Sequence, residues 1–274
     1  FYMGGGTPTT LSADQIDRLL THLNRSFDLS GCVEYCIEAG RPDTIEREKL
    51  QVLLDHGVDR ISVNPQSLED HVLTAIGRRH TARDVEEAMA LATGMGFPHV
   101  NMDLIAGLPY EDYESFGRSF DEVYAMKPEQ LQLGFLKVLK GSPMYHMTEQ
   151  YGIVYQSTPP YEVLYTKWLS FDEILRLKRI EEMVELYYNS NQFRKTLFML
   201  EQAFSGPFQM YSRLADYYEE KGYFITATIN HGSYIPEALH VERIDDMALY
   251  DGDFEAAKAA EQDGVRLIYG MDGI

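Results

Sequence analysis

The sequence predicts an α/β fold with a mainly helical C-terminal region, on the basis of three observations. In the first half, strand-like apolar runs alternate with helical stretches of roughly 10–15 residues, which is typical of βαβ units and a parallel sheet. Several of these runs end at glycine and proline, the residues that turns favour. After about residue 140 the pattern changes to long amphipathic helices. Periodicity alone leaves open whether the first half is a doubly wound sheet or a (βα) barrel.

The elements of the first half follow from local signals. The strand-like runs are residues 1–3, 33–37, 61–63, 100–105 and 131–136. Ser12, with Gln15 three residues later, predicts a capping box at the start of the first helix. Thr44 is predicted to open the second helix and Gly57 to end it. Two further helices are predicted at residues 82–95 and 113–126.

The second half is predicted to be all-helical up to about residue 224. Amphipathic patterns at residues 171–188, 192–204 and 208–221 are rich in Tyr and Phe, and we expect this block to pack outside the barrel or over its mouth. The remainder is acidic, with one short helical stretch at residues 254–262. The expected regions are therefore residues 1–140, residues 141–224 and an acidic tail at residues 225–274.

Composition excludes several classes of protein. The 274 residues include 43 acidic and 24 basic ones, a formal charge of -19, which argues against a nucleic-acid partner or an anionic membrane surface. No apolar run is long enough for a transmembrane helix, and no leader is recognisable. Two cysteines exclude a disulfide framework and favour a reducing cytoplasm. Because the chain starts at Phe1 within a strand-like run, we expect it to be an excised piece.

Polar residues at successive strand ends are the strongest candidates for a site. Glu38 ends the second strand, Asn64 and Gln66 end the third, and Asp103 lies in the fourth. The carboxyl ends of parallel strands are where α/β folds build sites. Each residue alone could be a cap or a buried hydrogen-bonded group, but the four together favour a site. Residues 4–6 are all glycine, which suits either close approach of a ligand or a tight turn.

Two other groups give weaker signals. Arg78 could pair with a carboxylate, although adjacent arginines are more often solvated, and His80 is more simply an ordinary polar histidine. Cys32 and Cys36 are too few for an iron–sulfur or zinc site, so we interpret both as structural and predict no metal ligands in the chain.

Five motifs in order carry a resemblance to a known family. They are Phe-Tyr-Met-Gly-Gly-Gly-Thr-Pro-Thr at residues 1–9, Ile-Glu-Ala-Gly-Arg-Pro-Asp at 37–43, Ile-Ser-Val-Asn-Pro-Gln at 61–66, Ile-Gly-Arg-Arg-His at 76–80 and Asn-Met-Asp-Leu-Ile-Ala-Gly-Leu-Pro at 101–109. Over residues 1–125 this series resembles the radical S-adenosylmethionine (SAM) proteins related to oxygen-independent coproporphyrinogen III oxidase, in the coproporphyrinogen dehydrogenase-like branch. The resemblance implies a partial TIM-type (βα) barrel with SAM bound across its strand ends.

The resemblance also implies roles for particular residues. The glycine turn would hold the amino end of SAM, and two side chains after it would contact the cofactor. The guanidinium of the fourth motif would pair with the SAM carboxylate, and the acid of the fifth would bind the ribose. The backbone at the end of the fifth motif would flank adenine. In this chain the residues are Gly5, Gly6, Thr7, Glu38, Gln66, Arg78, Asp103, Ala106 and Gly107.

Two departures from the family pattern affect the expected activity. The family's Cys-x-x-x-Cys-x-x-Cys loop, which binds a [4Fe–4S] cluster, would precede Gly4, so we expect the first barrel strand and the cluster ligands to be absent and the isolated chain to be inactive. Residues from about 110 to 225 instead resemble the C-terminal half of radical SAM proteins that carry a cobalamin-binding domain, which makes the chain look composite and leaves cobalamin open.

The resemblance implies an enzyme that cleaves SAM reductively to a 5′-deoxyadenosyl radical, with flavodoxin or ferredoxin as electron donor and a small-molecule substrate. The coproporphyrinogen kinship adds oxidative decarboxylation of propionates in porphyrin biosynthesis, with Arg41, Arg79 and Lys137 as the cations available to such a substrate. The alternatives are a non-catalytic SAM- or nucleotide-binding module and a composite barrel with no activity. No catalytic residue is assigned.

Overall fold

Five strands form one parallel sheet whose order follows the sequence. The computed structural model describes residues 1–222. Its sheet runs β1 (Tyr2–Met3), β2 (Cys36–Gly40), β3 (Arg60–Gln66), β4 (His99–Ala106) and β5 (Gln130–Phe135), in that spatial order and all parallel. A doubly wound sheet reverses its strand order at a switch point, whereas a (βα) barrel adds each strand beside the last. The order therefore favours the barrel alternative, and the predicted α/β fold class is confirmed.

Helices connect the strands and cover one face of the sheet. They are α1 (Ala13–Ser26), α2 (Arg47–Asp55), α3 (Asp70–Ala75), α4 (Ala82–Met95) and α5 (Tyr113–Ala125), followed by α6 (Pro143–Tyr151), α7 (Phe171–Val184), a π-helical turn (Glu185–Asn189), α8 (Arg194–Glu201) and α9 (Pro207–Glu220). Capping boxes start α1 at Ser12, α4 at Thr81 and α5 at Asp112. Residues 1–215 form one compact unit; of a second unit that begins at Asp216, only residues 216–222 are described.

The strands separate an apolar face from a polar one. Ile61, Val63 and Leu104 point toward the helices and are completely buried. The alternate positions, which we call the inner face, are polar in the centre of the sheet, where Ser62 pairs in register with Asn101, and Asn101 with Gln130. One register step further, Asp103 pairs with Gln132. Closed TIM barrels fill this side with branched apolar side chains. The polar inner face is that of an open, solvated partial barrel.

The prediction of an all-helical second half is wrong at one place. An antiparallel pair, β6 (Val154–Tyr155) and β7 (Val163–Tyr165), follows α6. The start of β7 and the residues before it also pair with the chain that leaves β5, since Val163 N donates to Leu136 O at 2.8 Å and Val138 N donates to Tyr161 O at 2.9 Å. The β-branched and aromatic residues around the two prolines are typical of strands, but the helical pattern on either side obscured this indication.

Two predicted boundaries also differ from the structure. The second strand begins at Cys36 and not at Val33, which is 96% exposed. Thr44 ends a 3₁₀ turn (Pro42–Thr44) instead of opening a helix, and α2 starts at Arg47. The Thr44 hydroxyl donates to Arg41 O at 2.8 Å, and the hydroxyls of Thr9 and Thr44 lie 2.7 Å apart. Its side chain therefore joins this turn to the first loop and does not cap a helix.

A side chain from the π-helical turn covers the free edge of β5. Leu131 N donates to Asn189 Oδ1 at 3.0 Å, and Asn189 Nδ2 donates to Leu131 O at 3.0 Å. The Asn189 amide thus satisfies both groups that a further strand would have satisfied. Glu185 Oε1 accepts a second bond from Asn189 Nδ2 at 2.7 Å, which orients the amide.

No helix among residues 1–222 is long and apolar enough to cross a membrane. The predicted acidic tail, residues 225–274, and its helical stretch at residues 254–262 lie outside the described residues.

Candidate functional site

The carboxyl ends of β1 to β4 form one rim, on which Glu38 is the first organising residue. Its carboxylate accepts three bonds: from Gly5 N at 3.2 Å and Tyr2 Oη at 3.1 Å, both on Oε2, and from Asn64 Nδ2 at 3.1 Å on Oε1. Glu38 therefore links the ends of three neighbouring strands. Tyr2 was not predicted as part of the site.

The glycine turn leaves its backbone open to the solvent side of the rim. A Cβ at Gly4 would lie 2.6 Å from Glu38 Oε2 and against the Tyr2 hydroxyl, so a side chain there would displace both of these groups. Gly5, at φ +106°, and Gly6 have no atom within 4 Å of the place where a Cβ would stand. Thr7 follows at φ 62°, with its N–H donating to Gly5 O at 2.8 Å. The turn is thus tight at Gly4 and accessible at Gly5 and Gly6, so both alternatives raised from the sequence hold for part of it.

Gln66 and Asp103 form a bonded pair on the same rim. Gln66 has φ 70°, and its Nε2 lies 3.0 and 2.9 Å from Oδ1 and Oδ2 of Asp103. Burial raises the pKa of Asp103 to about 7, against the lowering effects of the Gln66 hydrogen bond and of the Arg78 charge. A carboxyl with this pKa gains from a ligand that donates further hydrogen bonds to its ionised form.

Arg78 supplies a positive charge that no described residue neutralises directly. Its guanidinium makes no hydrogen bond or ion pair with another residue among 1–222. Burial, followed by the repulsion of Arg41, lowers the pKa of Arg78, while Asp103 and Asp43 oppose this. Arg41 itself is paired with Asp43 at 3.3 Å. A half-buried guanidinium without a partner is suited to binding an anionic group of a ligand.

Gly107 and Ala106 form the part of the rim that follows β4. Ala106 O accepts from Leu136 N at 2.9 Å, so this carbonyl is used within the fold. Gly107 has φ +88°, and a Cβ there would lie 2.7 Å from Cγ1 of Val163. The first residue of β7 therefore packs directly on the Gly107 backbone, which explains why glycine is needed at this position.

His80 is structural, as the sequence suggested. It is 2% exposed, its Nε2 lies 3.1 Å from Pro65 O, and burial lowers its pKa. A neutral ring that donates from Nε2 fits this contact. Its role is to support the chain just before Gln66.

Sequence reasoning missed a buried acid directly behind the rim. Glu111 is 0% exposed, and its Oε1 accepts from Ser67 Oγ at 2.6 Å. Burial raises the pKa of Glu111 to about 8. The acidic sequence Glu111-Asp112 before α5 looked like ordinary helix-start chemistry, and only tertiary packing distinguishes the two residues.

A polar network closes the amino-terminal end of the inner face. Arg60 Nη1 donates to Asn101 Oδ1 at 2.7 Å and Arg60 Nε to Glu34 Oε2 at 2.9 Å, while Asn101 Nδ2 donates to Gln130 Oε1 at 3.3 Å. We call these four residues the floor. The alternation of Asn101, Asp103, Gln130 and Gln132 with apolar residues could have predicted it. Between the floor and the rim, Ser62 and Gln132 face the open interior.

The cysteines do not form a metal site with other described residues. Cys36 is buried at the start of β2, and burial raises the pKa of its thiol. Among residues 1–222, no three His, Cys, Asp or Glu side chains are grouped so that they could hold a metal ion.

The rim as a whole brings together complementary groups. It combines a carboxylate beside open glycine backbone, a carboxyl–amide pair and an unpaired guanidinium, and so offers acceptors for an ammonium, a partner for a carboxylate and acceptors for hydroxyl groups. Gly5 and Gly6 contribute open backbone, and Glu38, Gln66 and Asp103 contribute hydrogen bonds. Arg78 contributes an unpaired charge, and Gly107 a backbone packed against Val163. Thr7 contributes its positive φ and Ala106 only a carbonyl already used by the fold.

Comparison with known proteins agrees with the two predicted resemblances. The family model described as the radical SAM superfamily matches residues 1–123, and one described as a protein of unknown function matches residues 149–236. The oxygen-independent coproporphyrinogen-III oxidase-like protein HemZ of Bacillus subtilis is 43% identical over 153 residues, 56% of this chain and 30% of HemZ. The heme chaperone HemW of the same organism is 34% identical over 153 residues, 54% of this chain and 39% of HemW.

A solved structure supports the same conclusion. Coproporphyrinogen III oxidase (HemN) from Escherichia coli, described as a radical SAM enzyme, superimposes with a TM-score of 0.52 at 26% identity, covering 65% of this chain and 38% of HemN. The chain thus spans between 30% and 39% of the length of these relatives. The resemblance of the first region to radical SAM proteins of the coproporphyrinogen oxidase type is confirmed.

Proposed function

We propose that the chain, whose residues 1–123 match the radical SAM superfamily, forms the SAM-binding half of a radical SAM enzyme that acts on a small-molecule substrate. SAM held at the rim would supply radical chemistry, the removal of a hydrogen atom from the substrate. This chain's own residues would bind and orient SAM at the rim and would hold the substrate against the inner face.

The groups on the rim fit SAM. Gly5, Gly6 and Glu38 would accept the ammonium group, and Arg78 would pair with the carboxylate. Gln66 would orient Asp103, whose carboxylate would accept the ribose hydroxyls. The open backbone beside Gly5 and Gly6 and the unpaired Arg78 guanidinium support this assignment. Thr7, Ala106 and Gly107 would complete the turn at the amino end and the backbone beside adenine.

The described residues do not fit a [4Fe–4S] cluster, since residues 1–222 contain no suitable group of ligands. We derive no step through the cluster from this chain, and we propose that its ligands lie outside the described residues. An electron donor such as flavodoxin or ferredoxin and a cobalamin cofactor are further proposals for the whole protein; no contact among residues 1–222 bears on either.

The unpaired guanidinium of Arg78 is the observation that carries the proposal, and it can be tested by binding. S-adenosylhomocysteine has a carboxylate, whereas 5′-methylthioadenosine has the same nucleoside without the amino acid. We expect Arg78→Ala to weaken S-adenosylhomocysteine about 10- to 100-fold in calorimetry, the effect of losing a charged hydrogen bond, and to leave methylthioadenosine nearly unchanged. The adjacent, exposed Arg79 provides the matched control.

Two outcomes would contradict the role proposed for Arg78. If Arg79→Ala weakens S-adenosylhomocysteine as much as Arg78→Ala, or if Arg78→Ala weakens both ligands equally, the guanidinium does not bind the carboxylate. The non-catalytic alternative is distinguished in the whole protein, reconstituted with iron and sulfide and reduced with dithionite: the enzyme releases 5′-deoxyadenosine from SAM, whereas a binding module retains SAM intact.

A finer proposal is oxidative decarboxylation of a porphyrinogen, which the names of HemZ and HemN support. The chemistry of the inner face gives this finer reaction little support. Arg60 is the cation of the floor, and it is already paired with Glu34. Among the described residues, the inner face therefore presents mainly amide and hydroxyl groups with the carboxyls of Glu38 and Asp103. Turnover of coproporphyrinogen III by the reconstituted whole protein would establish this finer reaction.

A further inference from the structure

The buried carboxyl of Glu111 connects the two loops that carry the predicted nucleoside contacts. Glu111 follows the rim residue Gly107 by four positions, and its Oε1 accepts from the hydroxyl of Ser67, the residue directly after Gln66. The other oxygen, Oε2, is also buried and has no hydrogen-bond partner among the described residues. One side chain thus bridges the loop after β3 and the loop after β4.

Further bonds fix the loop after β3 around this bridge. Leu68 N donates to the hydroxyl of Ser119 on α5 at 3.1 Å, and Glu69 N donates to Ser67 Oγ at 3.1 Å. The first bond depends on the distance between this loop and α5, which the Ser67–Glu111 contact helps to set, whereas the second holds the Ser67 hydroxyl in place within the loop. The position of Gln66, and through it the orientation of Asp103, is therefore coupled to the packing of Glu111.

The surroundings of Glu111 disfavour a negative charge. Burial is the main cause of its raised pKa, and the nearby carboxylates Glu69 and Asp112 raise it further. The hydrogen bond from Ser67 and the charge of Arg118 act in the opposite direction, but Arg118 already pairs with Glu69 at 2.7 Å. An ionised Glu111 would leave a buried carboxylate oxygen without a donor, which is costly.

We propose that Glu111 is a positioning residue for the nucleoside end of the ligand: as a neutral carboxylic acid it holds the loops after β3 and β4 together, and its ionisation separates them and weakens nucleoside binding. This inference rests on the proposed function, since it assigns the nucleoside to Gln66, Asp103 and Gly107. It adds a residue and a pH dependence that the nine predicted site residues do not include.

The binding test uses adenosine, which has no group that titrates near neutral pH. For the 274-residue chain, adenosine affinity should fall at least about tenfold between roughly pH 7.5 and 9.5, because binding would require the protonated acid. Glu111→Gln keeps the shape and a donor without a titrating proton, and its affinity should change less than about threefold. Glu114→Gln removes an exposed carboxylate nearby and should retain the wild-type pH dependence. An equal fall in Glu111→Gln overturns the proposal.

A second measurement needs no ligand and so separates this inference from the proposed function. Hydrogen exchange of the Leu68 amide, expressed as a protection factor that corrects for the intrinsic pH effect, should drop above about pH 8 in the wild type and stay constant in Glu111→Gln. Ser67→Ala should lower the same protection already at about pH 7.5. If adenosine fails to bind but these exchange effects appear, the proposed function fails and the bridge stands. If protection is the same in wild type and Glu111→Gln across this range, the bridge is refuted.

Discussion

Replacing Asp103 by Asn should stabilise the fold and at the same time weaken nucleoside binding. Burial holds the pKa of Asp103 at about 7, whereas an ordinary aspartate has a pKa of 3.8. In the folded protein the carboxyl keeps its proton through a range of pH in which the unfolded chain has lost it. Stability from this group is therefore fully present below about pH 4 and declines as the pH rises to about 7.

The size of the effect follows from the difference in pKa. One pKa unit corresponds to about 1.4 kcal/mol, so the full shift corresponds to roughly 4 kcal/mol. Because the carboxyl keeps some contact with solvent, we reduce this to about 2 kcal/mol. The introduced asparagine resembles the protonated acid in shape and can still contact Gln66. Asp103→Asn should then be about 2 kcal/mol more stable than wild type at about pH 8 and equally stable at about pH 4.

Urea denaturation at about pH 4, 6 and 8 measures this difference directly, since the slope of the transition should be common to both proteins. Asp14→Asn, on the exposed first turn of α1, makes the same chemical change at the surface and should shift the free energy of unfolding by less than about 0.5 kcal/mol. Adenosine affinity should fall about tenfold or more in Asp103→Asn, because an ionised acceptor is lost. A variant that is less stable at about pH 8, or one that binds adenosine normally, would refute the role given to Asp103.

Two further predictions concern the packing that holds the rim in place. Asn189→Ala leaves the Leu131 N–H and C=O without partners, so it should lower the free energy of unfolding by about 2–4 kcal/mol in urea denaturation. The control Gln192→Ala, at an exposed position, should lower it by less than about 0.5 kcal/mol. Equal losses in the two variants would contradict the edge-covering role. Gly107→Ala forces a side chain to positive φ and into Val163, so it should cost about 2–4 kcal/mol, and adding Val163→Ala should recover about half of that in a double-mutant cycle. Strict additivity of these two changes would show that they do not touch.

The alternation of strands and helices could be predicted from the sequence to a large extent because its signals are local, whereas the choice of a barrel over a doubly wound sheet came only from the family resemblance. The capping box at Ser12 and the alternation of strands and helices depend on neighbouring residues only, and they placed four of the five helices among the first strands within a few positions. The antiparallel segment at Val163 depends on pairing with Leu136, which lies 27 residues earlier in the chain. Such a non-local contact leaves little trace in the pattern around it.

The candidate site, too, could be predicted from the sequence only in part. Glu38, Gln66 and Asp103 could be selected because polar residues at the ends of parallel strands converge by geometry. Their mutual contacts could not, since Gln66 reaches Asp103 from a backbone with positive φ, at a point where the pairing of β3 with β4 is irregular. Glu111 carries no sequence signal, because its raised pKa arises from burial in the folded chain, against the lowering effect of the Ser67 hydrogen bond.

Binding of the nucleoside should require opposite protonation states of Asp103 and Glu111. Asp103 accepts hydroxyl groups best when it is ionised, and its pKa of about 7 puts that state at and above neutral pH. We propose that Glu111 holds the two loops together while it is protonated, and its pKa of about 8 puts that state below the same range. Nucleoside affinity should therefore pass through a maximum between these two values, with the acid side set by Asp103 and the alkaline side by Glu111. Asp103→Asn should therefore remove the fall in affinity on the acid side, and Glu111→Gln should remove the fall on the alkaline side. Each substitution should leave the other side of the pH profile unchanged.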